Sequence, residues 1–79
     1  MIKKTVKFNL INDIKAFNQA VVKCSFDVDL VSGRYVIDAK SLMGIFTLDL
    51  SRPIDLHIHA EETNEETIAF LNAISNYLV

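Results

Sequence analysis

The sequence predicts an α+β fold: an open-faced β-sandwich of order βαββαβα, with a four-stranded antiparallel sheet and three helices on one face. Three observations lead there. Four segments alternate apolar and polar residues with period two. Three other segments carry apolar residues at helical spacing. Every predicted strand keeps one dry and one wet side, which suits an antiparallel sheet covered by helices on a single face. A length of 79 residues allows one domain, spanning 1–79. Hydrophobic residues make up 51% of the chain, with only 2 Gly and 1 Pro, enough apolar material for a core.

Val6, Phe8 and Leu10 alternate with Thr5, Lys7 and Asn9, giving the first strand. Asn12 and Asp13 are suitable N-caps for the helix that follows. Its stripe is Ile14, Phe17, Val21 and Cys24, so the helix is expected from about Asp13 to Cys24. Phe26, Val28 and Leu30 mark the second strand, and Tyr35, Ile37 and Ala39 the third. Ser32-Gly33 turns the chain between them into a hairpin. Ser41 caps a short helix to about Leu48, with Ile45 and Leu48 inward and Leu42, Met43 and Phe46 partly toward solvent. Arg52-Pro53 breaks the chain before the fourth strand, where Ile54, Leu56, Ile58 and Ala60 alternate with Asp55, His57 and His59. Thr63 and Glu66 have the spacing of a capping box for the last helix, whose apolar stripe is Ile68, Leu71, Ile74 and Leu78. The wet face of the sheet is then Thr5, Lys7, Asp27, Asp29, Asp38, Asp55, His57 and His59.

Composition excludes several functions. The formal net charge is −2, and Lys3, Lys4 and Lys7 form too small a basic group for a nucleic-acid footprint. Cys24 is the only cysteine, so no internal disulfide forms; on the apolar face of a helix it acts as a small hydrophobe. A lone free thiol fits a reducing compartment. Lysines interrupt the N-terminal apolar residues, and no stretch approaches the ~18 apolar residues of a membrane span, so a cytoplasmic protein without membrane contact is expected. Two glycines cannot build a Walker loop or a Gly-rich phosphate loop, and no nucleophile elbow or paired cysteine motif is present. His57 and His59 share one strand face about 7 Å apart along the strand. With Asp neighbours they could hold Zn²⁺, but strand alternation alone accounts for polar residues there. The expectation is a non-enzyme without cofactor or metal.

Lys40-Ser41-Leu42-Met43-Gly44 is the segment that composition leaves unexplained. A serine cap accounts for Ser41. It does not account for Leu42, Met43 and Phe46, bulky apolar side chains beside it, which together resemble a partner-binding patch. The residues alone leave open whether this turn is a cap only or a cap with a docking site.

The same five residues resemble the regulatory serine motif of HPr, the small phosphocarrier of the bacterial sugar phosphotransferase system, in its low-GC Gram-positive branch. The resemblance implies an HPr-like domain whose fourth strand lies between the first and second. It also implies Ser41 as a site of regulatory phosphorylation by an ATP-dependent kinase, and Lys40, Leu42, Met43 and Phe46 as partner-binding residues. Partners would come from the phosphotransferase network: HPr kinase, and enzyme I-like or repressor-like proteins, with the chain itself a monomer or weak dimer. One departure is large. The family's phosphoacceptor lies in a Gly-aliphatic-His-Ala/Thr-Arg-Pro motif between strand one and helix one; here Asn9-Leu10-Ile11-Asn12-Asp13-Ile14 stands there, with Leu10 in the histidine position. Histidine-less relatives that regulate catabolite repression are the implied comparison. The alternative is a true phosphocarrier using a displaced histidine, His57 or His59.

Overall fold

A computed structural model describes all residues, Met1–Val79. The elements follow the expected order: β1 (Ile2–Val6), α1 (Ile11–Val22), β2 (Val28–Ser32), β3 (Tyr35–Asp38), α2 (Leu42–Ile45), β4 (Ile54–Ile58) and α3 (Glu65–Ala73), then a 3-10 turn at Ser75–Tyr77. The sheet is four-stranded and antiparallel in the order β1-β4-β2-β3. Its helix-side face buries Ile2, Val6, Val28, Leu30, Ile54, Leu56 and Ile58 against Ile14, Phe17, Val21, Ile45, Phe70 and Ile74. Phe8 joins this core, its ring 5.0 Å from Phe17 and 5.7 Å from Tyr77.

Several boundaries differ from the expected ones, each for a local reason. β1 ends at Val6, paired with Ile54, because β4 begins just after Pro53, which has no N–H for a ladder. Leu10 therefore leaves the sheet and becomes the residue before α1, exposed to solvent. Neither Asn12 nor Asp13 caps α1: the cap position is Leu10, with no side-chain hydrogen bond, and Asp13 sits in the first turn. The stripe Ile14, Phe17 and Val21 is buried, with Cys24 buried just past the helix end. α2 is shorter than expected, but Ser41 caps it and Ile45 is fully buried.

The last helix is the clearest correction. Asn64, not Thr63, is its N-cap, with Oδ1 accepting from the Glu66 N–H at 2.8 Å. Glu66 instead receives the Ser25 hydroxyl and amide. The inward face is Thr67, Phe70 and Ile74, while Ile68 is exposed. Phe70 and Ile74 pack in the core, and Thr67, one turn before Phe70, is buried with them although its Oγ1 has no hydrogen-bond partner. Leu78 lies beyond the helix and forms an antiparallel bridge to Val6.

The helix-free face carries two cross-strand rows. Lys3, His57, Asp29 and Asp38 form one; Thr5, Asp55, Val31 and Val36 form the other. No helix is long and apolar enough to cross a membrane.

Candidate functional site

The Lys40–Gly44 turn is held by side-chain hydrogen bonds from three elements. Ser41 has extended backbone angles, φ −92° and ψ 103°, and its Oγ accepts from the Gly44 N–H at 3.1 Å. That satisfies one of the amides a helix start leaves free. Asp38 Oδ1 accepts from the Lys40 N–H at 2.9 Å, and the Asp38 carbonyl accepts from the Ser41 N–H at 2.9 Å. Asn18, buried on α1, donates from Nδ2 to the carbonyls of Ala39 and Lys40, each at 3.0 Å. These bonds fix where α2 begins. Gly44 has its own reason: a Cβ there would lie 2.8 Å from Ile37 Cγ2 and 3.1 Å from Ser41 Oγ, so a side chain would press on both the strand and the cap.

The apolar residues of the turn divide. Met43 is 79% exposed and Phe46 41% exposed, while Leu42 is half-buried against the core. Phe46 forms one wall of a cleft of about 370 Å³. Phe8, Leu10, Ile11, Ile14 and Leu50 supply the rest of its apolar lining, with Lys7 and Ser51 at the margin. Leu10 and Ile11 are 65% and 63% exposed. The cleft thus joins the start of α1 to the end of α2. Its far wall is steadied by Asp49, whose Oδ1 accepts from the Ser51 hydroxyl at 2.6 Å and the Ser51 amide at 3.1 Å. Those two bonds, with a smaller contribution from Arg52, hold the Asp49 carboxyl below the usual range.

Lys40 is half-buried, and its charge bears on Cys24. Burial pushes the Cys24 thiol up, the Glu66 carboxylate adds to that, and the Lys40 ammonium offsets part of it. The Cys24 Sγ donates to the Ala20 carbonyl at 3.4 Å. A buried thiol with a raised pKa is poorly suited to nucleophilic chemistry.

His57 and His59 lie on the helix-free face. His57 stands between Lys3 and Asp29, and His59 Nε2 is 2.9 Å from Asp29 Oδ2. No group of three or more His, Cys, Asp or Glu side chains is placed to hold a metal ion. Both imidazoles lie on the helix-free face and neither lines the α1–α2 cleft, so the structure does not bring them to the Ser41 turn.

Three residues of this site were not legible as such in the sequence. Strand alternation assigned Leu10 a buried place, Ile11 carried no signal of its own, and Asn18 lies in an otherwise ordinary helix pattern.

No family model matches the chain, and no curated protein matches it in sequence. Among solved structures, it is similar to HPr-C-His from Thermoanaerobacter tengcongensis, with a TM-score of 0.73 over 96% of this chain and 93% of that one, at 22% identity. At that identity the likeness is one of fold: both chains share an open-faced, four-stranded antiparallel sheet with helices on one side.

Proposed function

We propose that this chain works by binding, as an HPr-like regulatory protein of a sugar phosphotransferase network, with Ser41 as a phosphorylation switch. Lys40, Leu42, Met43 and Phe46 form its docking surface, extended by Leu10 and Ile11 across the cleft. The observation that carries this reading is the pairing of an exposed, capping Ser41 with an apolar cleft that holds no imidazole. The α+β fold shared with an HPr protein supports it.

The chemistry follows from the geometry. A phosphate on Ser41 Oγ adds about two negative charges and three strong acceptor oxygens. Those oxygens replace the hydroxyl as acceptors for the Gly44 N–H, so the α2 start survives the modification. The new charge stands beside Met43 and Phe46, turning an apolar surface into a mixed one and changing which partners dock. Expected partners are an HPr kinase and repressor-like or enzyme I-like proteins. With Leu10 and Asn12 in place of a phosphoacceptor histidine and its arginine, the α1 start binds without accepting phosphoryl groups.

The test uses two phosphate donors. HPr kinase with ATP should add one acid-stable phosphate to the wild-type chain and none to Ser41→Ala. Uptake by Ser41→Ala equal to wild type sinks the switch. Enzyme I with phosphoenolpyruvate should leave the chain unlabelled. An acid-labile phosphate lost in His57→Ala or His59→Ala establishes the displaced-histidine phosphocarrier instead.

A further inference from the structure

The sheet has two outer strands, and only one of them is covered. Along β1, the C-terminal residues close the far half: Val79 N–H donates to the Thr5 carbonyl at 3.0 Å, Lys7 N–H to the Tyr77 carbonyl at 2.8 Å, and Leu78 bridges Val6. The near half of β1 carries exposed Lys3 and Lys4 on its two faces, a charge arrangement that discourages strand addition. β3 has no strand or terminal segment along its outer side, and its one charge, Asp38, lies at its end. Tyr35 and Val36 are 68% and 63% exposed, and no other segment pairs with the strand's outer side.

The hydrogen-bonding phase of β3 is set by its hairpin. Ser32 pairs with Tyr35 across the two-residue loop Gly33-Arg34, with Gly33 at φ 59° as the first turn residue. In such a hairpin the closing pair exchanges both main-chain bonds, and the pairs then alternate. Tyr35 and Ile37 therefore direct N–H and C=O toward β2. The Ala39 N–H to Val28 carbonyl bond, 2.9 Å, confirms that phase. Val36 and Asp38 direct theirs outward. The Asp38 carbonyl is already taken by the Ser41 N–H, which leaves the Val36 pair and the Asp38 N–H free.

We infer that the β3 edge seats a second copy of this chain, antiparallel, about a twofold axis at Val36. Only that register uses the free groups reciprocally: Val36 N–H donates to the Val36 carbonyl of the other copy, and Asp38 N–H to its Arg34 carbonyl. Side chains agree with it. Arg34 of each copy falls opposite Asp38 of the other, on the helix-free face, flanking the two Val36 side chains. Arg34 has no carboxylate partner within its own chain. Asp38 uses Oδ1 for the Lys40 N–H, which leaves Oδ2 for the incoming guanidinium. Tyr35 meets Ile37 on the other face. A single patch that complements itself in charge, hydrogen-bond phase and apolar contact is the requirement for an isologous dimer. The result is a continuous eight-stranded sheet, held weakly because the shared edge is short.

Sedimentation velocity on the full chain over a wide concentration series tests this. The wild type should shift from monomer to dimer as concentration rises. Arg34→Glu and Asp38→Lys should each remain monomeric, and an equimolar mixture of the two should dimerise, because both cross-pairs become opposite in charge again. Val36→Pro removes the N–H that crosses the axis without touching the β2 ladder, and should also stay monomeric; it serves if Asp38→Lys fails to fold. A wild type that stays monomeric throughout overturns the inference. So does an Arg34→Glu chain that dimerises like wild type, or a β3 edge that binds a foreign extended peptide while self-association is absent.

Discussion

The start of α1 and the end of α2 line one cleft, and opposite means hold the two helices. α2 has four residues and one buried side chain, Ile45, so burial contributes little; its position comes from Ser41, Asp38 and Asn18 hydrogen bonds. α1 has twelve residues and no side-chain cap, and is held by Ile14, Phe17 and Val21 in the core. Hydrogen bonds specify direction and distance, whereas burial specifies mainly which face turns inward. The capped turn therefore fixes one serine in space, while the uncapped start is free to present Leu10 and Ile11 as contact area.

Breaking the burial side has the largest effect. Phe17→Ala should lower unfolding free energy by about 3–5 kcal/mol in denaturant titration, because Phe17 is fully buried and touches Phe8 and Phe70. A loss under 1 kcal/mol would mean that α1 is not anchored by its stripe. Asn18→Val removes the donor that serves two carbonyls, and should cost about 1–3 kcal/mol. It should also speed amide exchange of Ser41 and Gly44 more than that of α1, a pattern that plain core damage would not give.

The caps give a smaller and more pointed contrast. Ser41→Ala should cost about 1 kcal/mol, while Leu10→Ser supplies the cap that α1 lacks and should gain several tenths to about 1 kcal/mol. Equal effects of the same sign would erase the distinction between the two starts. The smallest effect is in pH. The folded Cys24 thiol has a raised pKa, so the native state holds its proton where the unfolded chain loses it. That stability is fully present below the ordinary thiol value of 9.0 and declines as pH rises above it. Relative to wild type, Cys24→Ala should show a flatter stability profile above pH 9.0 in thermal melts.

The sequence pattern carried the architecture because the sheet contrasts its two faces sharply. Ile54, Leu56 and Ile58 against Asp55 and His57 leave no second choice. It misled where burial and polarity part company. Thr67 is buried and Ile68 exposed, so the hydropathy stripe of α3 points one residue away from the real inward face. Asn18 is buried for hydrogen bonds that only the folded chain supplies. At the site, Ser41 was legible because a cap is a local device. The cleft was not, because it joins Leu10 and Phe46 from distant parts of the chain.

The bridge between Val6 and Leu78 has a kinetic consequence. β1 meets none of its neighbours early: β4 and the Tyr77–Val79 strip both come from the far side of the sequence. Closing such long loops is entropically costly and slows folding relative to chains of local contacts. On the ribosome, the α1 segment and the β2–β3 hairpin can form while β1 waits as an unpaired, lysine-bearing ribbon. Lys3 and Lys4 keep that waiting ribbon charged, as they do the edge of the finished sheet.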